Sequence, residues 1–282
     1  MVKKIILNLF FLLIFAVIIF FAFLSTIGIE TNRFNKVIID KIAETNNIDV
    51  DLKTIKFKLD LKDLSLYLET NKPVIVYKKI AIPSNDVKVY LDFLSLIKTN
   101  LKIQKISIDF EEIDIKQINK LSKIIKPSNF KSFLNNKVLE GKLTAVIEIF
   151  LNNEGGFKNY IARGKIKSLK VNLFRDLKFS EVNLDFFADK DDKIFKNIFG
   201  NVEGIVISNG DVKLNLENGI KIKSNFNSKF NLDEKLLNKY DKIIDEYKLD
   251  FAIKSLKADL NNIISIDLDR TYKIKDFNYT AS

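Results

Sequence analysis

Val202–Phe226 reads VEGIVISNGDVKLNLENGIKIKSNF. Apolar residues hold alternate places in each short run, and Lys, Asp, Asn and Ser hold the others. That period of two belongs to a strand with one buried face. Asn209-Gly210 and Asn218-Gly219 tolerate the positive φ that tight hairpins demand. The stretch therefore predicts three antiparallel strands, 202–207, 212–216 and 220–226, turning at Ser208–Asp211 and at Glu217–Gly219.

The same grammar extends both ways. Upstream, Leu143–Leu151, Ile161–Leu173, Phe179–Phe187 and Ile194–Phe199 read as strands, with turns at Asn153–Gly156 and Asp189–Asp192. Downstream, Leu249–Leu260, Ile263–Leu268 and Tyr272–Tyr279 continue the pattern. Earlier still, Ile48–Leu52, Ile55–Leu59, Leu64–Leu68, Val74–Tyr77, Val87–Leu91 and Leu101–Phe110 alternate. A phase shift near Gln104-Lys105 predicts a bulge. Helical spacing is confined to Asn35–Thr45, to Asp114–Ile125 (stopped by Pro127), and to Asp233–Tyr247, where Asp233 and Glu234 suit a helix N-terminus. Phe130–Asn135 suggests one more turn.

The first 29 residues are of another kind. Lys3 and Lys4 precede an apolar run from Ile5 to Leu24, broken by Asn8 and fading through Ser25 and Thr26. About 20 apolar residues match the roughly 30 Å hydrocarbon layer of a bilayer. The run is longer than a secretory signal core and has no convincing small-x-small cleavage site, so it reads as an uncleaved anchor. A cleaved signal is the alternative. Lys3 and Lys4 favour a cytoplasmic N-terminus by the positive-inside rule. The rest then lies on the trans side, which in a bacterium is the periplasm. Residues 1–29 form the anchor, 30–136 an α+β segment, and 137–282 an antiparallel sheet with one inserted helix at 233–247. The fold class is mainly β with a few helices: an N-terminal transmembrane helix, then a long curled antiparallel sheet.

Composition narrows the chemistry. The chain has no His, Cys or Trp. Imidazole acid–base work, thiol catalysis and the usual zinc sites are excluded. The net charge is +10, but Lys is spread along strands among Asp and Glu, so no nucleic-acid patch is expected. The acidic group Asp109, Glu111, Glu112 and Asp114 reads as a solvated strand-to-helix junction rather than a cation site. Asp189–Asp192 lacks the Gly and Glu of a calcium loop. No nucleophile–base pair stands out. Neither an enzymatic role nor a cofactor is expected.

An apolar sheet face must be covered. A second sheet would cover it as a sandwich. Helices could pack on it, though only two or three are available. Or the sheet curls into a groove whose apolar lining meets an apolar ligand such as a lipid, each buried CH₂ contributing about 0.8 kcal/mol.

The order of elements resembles the N-terminal part of AsmA-like envelope proteins, the group with the YhdP and TamB relatives. The anchor is followed by NIDVDLKTIKFKLDLKDLSLYLE (47–69) and PVIVYKKIAIPSNDVKVYLDFLSLIKTNLKIQKISIDF (73–110). GKIKSLKVNL (164–173), VNLDFFADKDDKIF (182–195) and GNVEGIVISNGDVKLNL (200–216) resemble the family's repeating strands. The resemblance implies a protein tethered in the inner membrane by residues 5–29, with a taco-like periplasmic groove. It implies phospholipid transport between membranes, or support of outer-membrane assembly with envelope protein partners. Family members are commonly longer, so a fragment, or a short member that needs a partner, is expected. The groove lining would be Leu143, Ile147, Val182, Leu184, Phe186, Val212, Leu214, Leu216, Ile220 and Ile222. The alternative is a tethered β-sandwich interaction module with no lipid cargo, in which these residues are ordinary core.

Overall fold

The computed structural model describes residues 2–31, 48–51, 54–63, 65–77, 80–92, 102–115, 117–118, 136–152, 154–172, 177–217, 219–240, 253–269 and 273–282. The helix expected at 35–45, most of that at 114–125, the turn at 130–135 and residues 241–252 lie outside them.

The apolar run forms α1, Val2–Thr26, with no acidic residue in its first turn and no basic one in its last. Lys3–Thr26 is long and apolar enough to cross a membrane, and none of its most apolar window is buried. Gly28 ends the helix at φ 75°, its N–H donating to the carbonyl of Phe23. An L side chain rarely adopts that φ, and a Cβ there would also sit 2.6 Å from Cγ of Lys58. The chain passes straight into strand β1, Ile29–Glu30.

Two compact units follow: residues 1–111 with 147–160, and 112–146 with 161–282. In the first, β2 (Ile48–Asp51), β5 (Val74–Tyr77) and β6 (Ile80–Ile82) form a three-stranded sheet. The other strands are β3 (Ile55–Asp60), β4 (Ser65–Asn71), β7 (Ser84–Leu91) and β8 (Ile103–Phe110), hydrogen-bonded in the order β1-β3-β4-β7-β8. One face buries Ile55, Leu68 and Leu91 against Phe57, Val89 and Ile103. The other carries polar and aromatic groups. Glu69 pairs with Lys58 at 2.7 Å and Lys88 at 3.6 Å. Tyr67 stacks on Tyr90 at 5.2 Å, and the Lys105 ammonium lies 4.0 Å from the Tyr90 ring centre. Tyr90 pairs with Lys105 but Leu91 with Ile103. Gln104 is therefore the extra residue, where the phase shift placed the bulge.

The division falls within two strands, β10 (Val138–Leu151) and β11 (Phe157–Asn172), whose residues 147–151 and 157–160 count with the first unit. In the second unit, β9 (Ile113–Asp114) pairs with the start of β10. Then come β11 (Phe157–Asn172), β12 (Lys178–Ala188), β13 (Asp192–Val202), β14 (Ile205–Asn215) and β15 (Ile220–Leu232). Helix α2 (Glu234–Leu237), capped by Asp233, runs into a 3₁₀ turn at Asn238–Tyr240, and β16 (Leu256–Leu268) and β17 (Ile274–Ala281) finish the chain. The antiparallel sheet has 14 strands in all, and its order from β10 to β17 is that of the sequence.

The expected three-strand meander needs correction. Strand β14 runs unbroken from Ile205 to Asn215, through Asn209-Gly210. The true hairpin lies earlier, at Glu203-Gly204, where φ is 48° and 102°, the two positive values of a type I′ turn. Asn209 does have positive φ, 51°. It uses that freedom for a bulge, where the register with β15 shifts between Ser208 and Asp211. The turn at Glu217–Gly219 stands, with Gly219 at φ 112°. Leu256–Leu268 is likewise one strand rather than two.

Candidate functional site

Antiparallel partners share a sheet face. Phe186 pairs with Phe195, Phe195 with Val212, Val212 with Ser224, Ser224 with Ile264, and Ile264 with Tyr279. A second row runs Leu214–Ile222–Ile266–Phe277, and a third Ile220–Leu268–Ile274. Six strands, β12 to β17, thus present one apolar face. The opposite face is charged, with cross-strand pairs Lys165–Asp185 (3.6 Å), Lys213–Asp192 (3.0 Å), Lys221–Asp267 (3.9 Å) and Lys229–Asp259 (3.7 Å). All lie at the surface, where solvent and salt screen them. Together they keep that face in water.

Four neighbouring strands keep the apolar face continuous by a shared device. Ser168 in β11, Glu181 in β12, Asn197 in β13 and Asn209 in β14 all have φ between 50° and 54°. Each sits at a register shift. An extra residue reverses the alternation, so the apolar positions change parity as well: Ile166 to Leu169, Phe179 to Val182, Phe195 to Ile198, and Ile207 to Val212. Side-chain amides tie the line together. Asn183 accepts from the Ser168 N–H at 3.2 Å and donates to the Glu181 carbonyl at 3.0 Å, and Asn197 donates to Asp185 at 2.7 Å.

The bulge line divides a capped end from an open one. At the capped end, α2 and its 3₁₀ turn lay Leu237 and Tyr240 over Leu177 and Leu232, with Val202, Ile205 and Phe230 packed alongside. Tyr240 donates its hydroxyl to the Val202 carbonyl at 2.6 Å, and burial pushes its pKa up to about 12. Ile115, Val138 and Val171 form a second buried cluster with Ile118 and Leu169. At the other end, Phe186, Phe195, Val212, Leu214, Ile222, Ile264 and Ile266 are half-buried. Towards β17 exposure rises, to 58% at Phe277 and 67% at Ile274. Among the described residues no second layer packs over this end. Strands β15 to β17 mark the boundary with a polar node: Asn262, buried, donates to Ser228 at 2.8 Å and accepts from the Tyr279 hydroxyl at 2.9 Å. A depression lined by Asn227, Lys229, Asp259 and Asn261 belongs to the charged face.

Val182, Leu184, Phe186, Val212, Leu214, Ile220 and Ile222 all fall on the apolar face. Val182 is the most buried of them, 1% exposed. Leu143 is half-buried and pairs with Ile113 of β9. Ile147 belongs to the first unit. Leu216 lies just beyond β14 and is 41% exposed, its N–H donating to the Asp191 carbonyl. It is not part of a strand face. Sequence reasoning missed Phe195, Ile264, Ile266, Phe277 and Tyr279. Alternation in ISIDL and FNYT carried the signal for four of them. Phe195 was hidden by the bulge beside it.

The polar clusters hold no metal-ligating group of three among the described residues. Glu112 is engaged by Lys142 at 2.6 Å, a bond that holds its carboxyl below the usual range. Asp189 accepts the N–H groups of Asp191 and Asp192 at 2.9 and 2.8 Å, closing a hairpin turn.

Comparison with protein-family models, curated proteins and solved structures finds no match for this chain. The AsmA-like resemblance rests on strand pattern alone.

Proposed function

We propose that this protein is a membrane-anchored lipid carrier, held in a bacterial inner membrane by α1 with its sheet in the periplasm. The apolar face of β12 to β17 takes the acyl chains of phospholipid, for transport between membranes or outer-membrane assembly. The observation that carries this reading is the open half of that face, apolar across six strands and flanked by a capped half. Burying one acyl chain contributes about 0.8 kcal/mol per CH₂, and an open face admits chains of different lengths.

A photo-crosslinking amino acid at Phe195 or Ile222 in the full chain, in cells, tests it. Phospholipid adducts at these positions, and none at Lys223 on the charged face, are the expected result. Protein adducts without lipid would overturn it.

A second reading has its own observation. Every residue of β17 is exposed. Asn261 and Ser282 exchange both backbone hydrogen bonds, so by antiparallel alternation the N–H and C=O of Phe277, Tyr279 and Ala281 point away from β16. Such an edge is a template for a partner's strand, as an interaction module requires. Protein crosslinks confined to β17 would favour it.

A further inference from the structure

The way α1 joins the sheet fixes a second element close to the bilayer. Only Ile27 and Gly28 separate the helix from β1, so no linker lets the sheet swing away. The last turns of α1 pack against β3. Leu24 is 4% exposed there, whereas the other residues from Lys3 to Thr26, Ser25 apart, are exposed. Strand β1 leads away from the helix, and β3 is antiparallel to it, with Ile29 opposite Phe57 and Glu30 opposite Lys56. Strand β3 therefore runs back towards the membrane. Lys58 lies level with Gly28, one register position on from the Ile29–Phe57 pair, and a Cβ on Gly28 would sit 2.6 Å from its Cγ. Leu61 is three residues further on, about 10 Å at the rise of a strand. The same distance along a helix is about two turns.

At 25 residues the helix is about 37 Å long, against a hydrocarbon layer of about 30 Å. The excess is about 7 Å, so the last turn reaches the headgroups; a point about 10 Å back from Gly28 is about 7 Å back from the helix end, at the boundary between headgroups and acyl chains. The turn Leu61–Asp63 falls at that depth. It is built for it: Leu61 is 53% exposed at the tip, and Lys62 beside it is exposed. The tip is ordered, because Asp60 accepts the N–H of Lys62 at 3.0 Å and of Asp63 at 3.4 Å. Ile27 and Ile29, 57% and 43% exposed at the helix exit, lie about 10 Å further from the bilayer centre, on either side of Gly28.

We infer that the β3–β4 turn is a second membrane contact, with Leu61 inserted at the bilayer interface beside α1 and Lys62 at the level of the lipid phosphates. This rests on α1 being a membrane span. Two contacts fix the tilt of the sheet relative to the bilayer, where one helix alone leaves it free.

The chain has no Trp, so one introduced Trp reports alone. The full chain is placed in vesicles of phosphatidylcholine and phosphatidylglycerol, with and without phosphatidylcholine brominated on the upper acyl chain. Leu61→Trp is compared with Val74→Trp, which is similarly exposed at 47% but follows the opposite end of β4. Phe10→Trp reports on the helix. Leu61→Trp is expected to emit further to the blue than Val74→Trp and to be quenched about twofold more. If Phe10→Trp is quenched while Leu61→Trp behaves like Val74→Trp, the span stands and the second contact is overturned. If Phe10→Trp is not quenched either, the span itself fails and the inference with it. Leu61 is exposed in a turn, so its replacement leaves the packed core intact.

Discussion

The Tyr279 hydroxyl of the last strand donates to Oδ1 of Asn262 at 2.9 Å, and Asn262 in turn holds Ser228. Three strands are thereby pinned by one buried amide within a largely apolar face. Asn262 is 3% exposed and Ser228 4%. Asn262→Ala leaves the Ser228 hydroxyl unpaired in a dry site and should cost about 1–3 kcal/mol. Tyr279→Phe removes one bond at a half-exposed ring and should cost no more than about 1 kcal/mol. Denaturant midpoints of the full chain in detergent give the two values, and the order is the test.

Deleting Asn209 removes the extra residue that lets Ile205 and Ile207 share a face with Val212 and Leu214. One half of β14 must then turn its apolar side chains to the charged face. The deletion should abolish cooperative unfolding. Asn209→Gly keeps the positive φ and should change stability by less than about 1 kcal/mol. Gly210→Ala has less room, since a Cβ would lie 2.8 Å from Cβ of Ile198, and should be the worse of the two substitutions.

Glu69 holds Lys58 and Lys88 while only 10% of its own side chain is exposed. Glu69→Gln strands the mostly buried ammonium of Lys58 and leaves Lys88 with Asp86 at 3.8 Å. The expected cost lies between the ~1 kcal/mol of an exposed pair and the ~3–5 kcal/mol of a buried one. High salt should narrow the gap between variant and parent. Chemical denaturation at two ionic strengths measures both effects.

Tyr240 ties alkaline stability to the capped end of the sheet. Burial first, and Glu203 second, raise its pKa from 10.0 to about 12. The unfolded chain therefore loses this proton at lower pH than the folded one. Stability from this group is intact below pH 10.0 and declines as pH rises towards about 12. Tyr240→Phe should be less stable at neutral pH, having lost the bond to the Val202 carbonyl, and flatter across the alkaline range. Denaturation midpoints between pH 9 and about 11.5 distinguish the slopes.

Alternation is a local property, and it was legible wherever a strand kept one parity. Ile220–Ile222 and Ile264–Ile266 announce their face by themselves. So does α1, because a helix apolar all round has no soluble core to suit it. A phase shift betrayed the bulge at Gln104, but the four of β11 to β14 were not legible. Ser168 and Glu181 carry positive φ without being Gly or Asn, the residues that usually signal it. Asn209-Gly210 did signal it, but a hairpin and a bulge need the same backbone freedom. The pairing of Ile198 with Gly210 and of Lys213 with Lys223 decides between them.

The sequence alone therefore determined a membrane-length helix, a β-rich remainder with one apolar face, and a chemistry without imidazole or thiol. Each follows from side-chain type and spacing within a few residues. Tertiary structure decided where strands end, how four bulges carry the apolar face across a parity change, and which half of that face α2 caps. Those outcomes depend on hydrogen bonds and packing between residues far apart in the chain. A period of two cannot encode them, because it is the same for a strand that is covered and for one that is not.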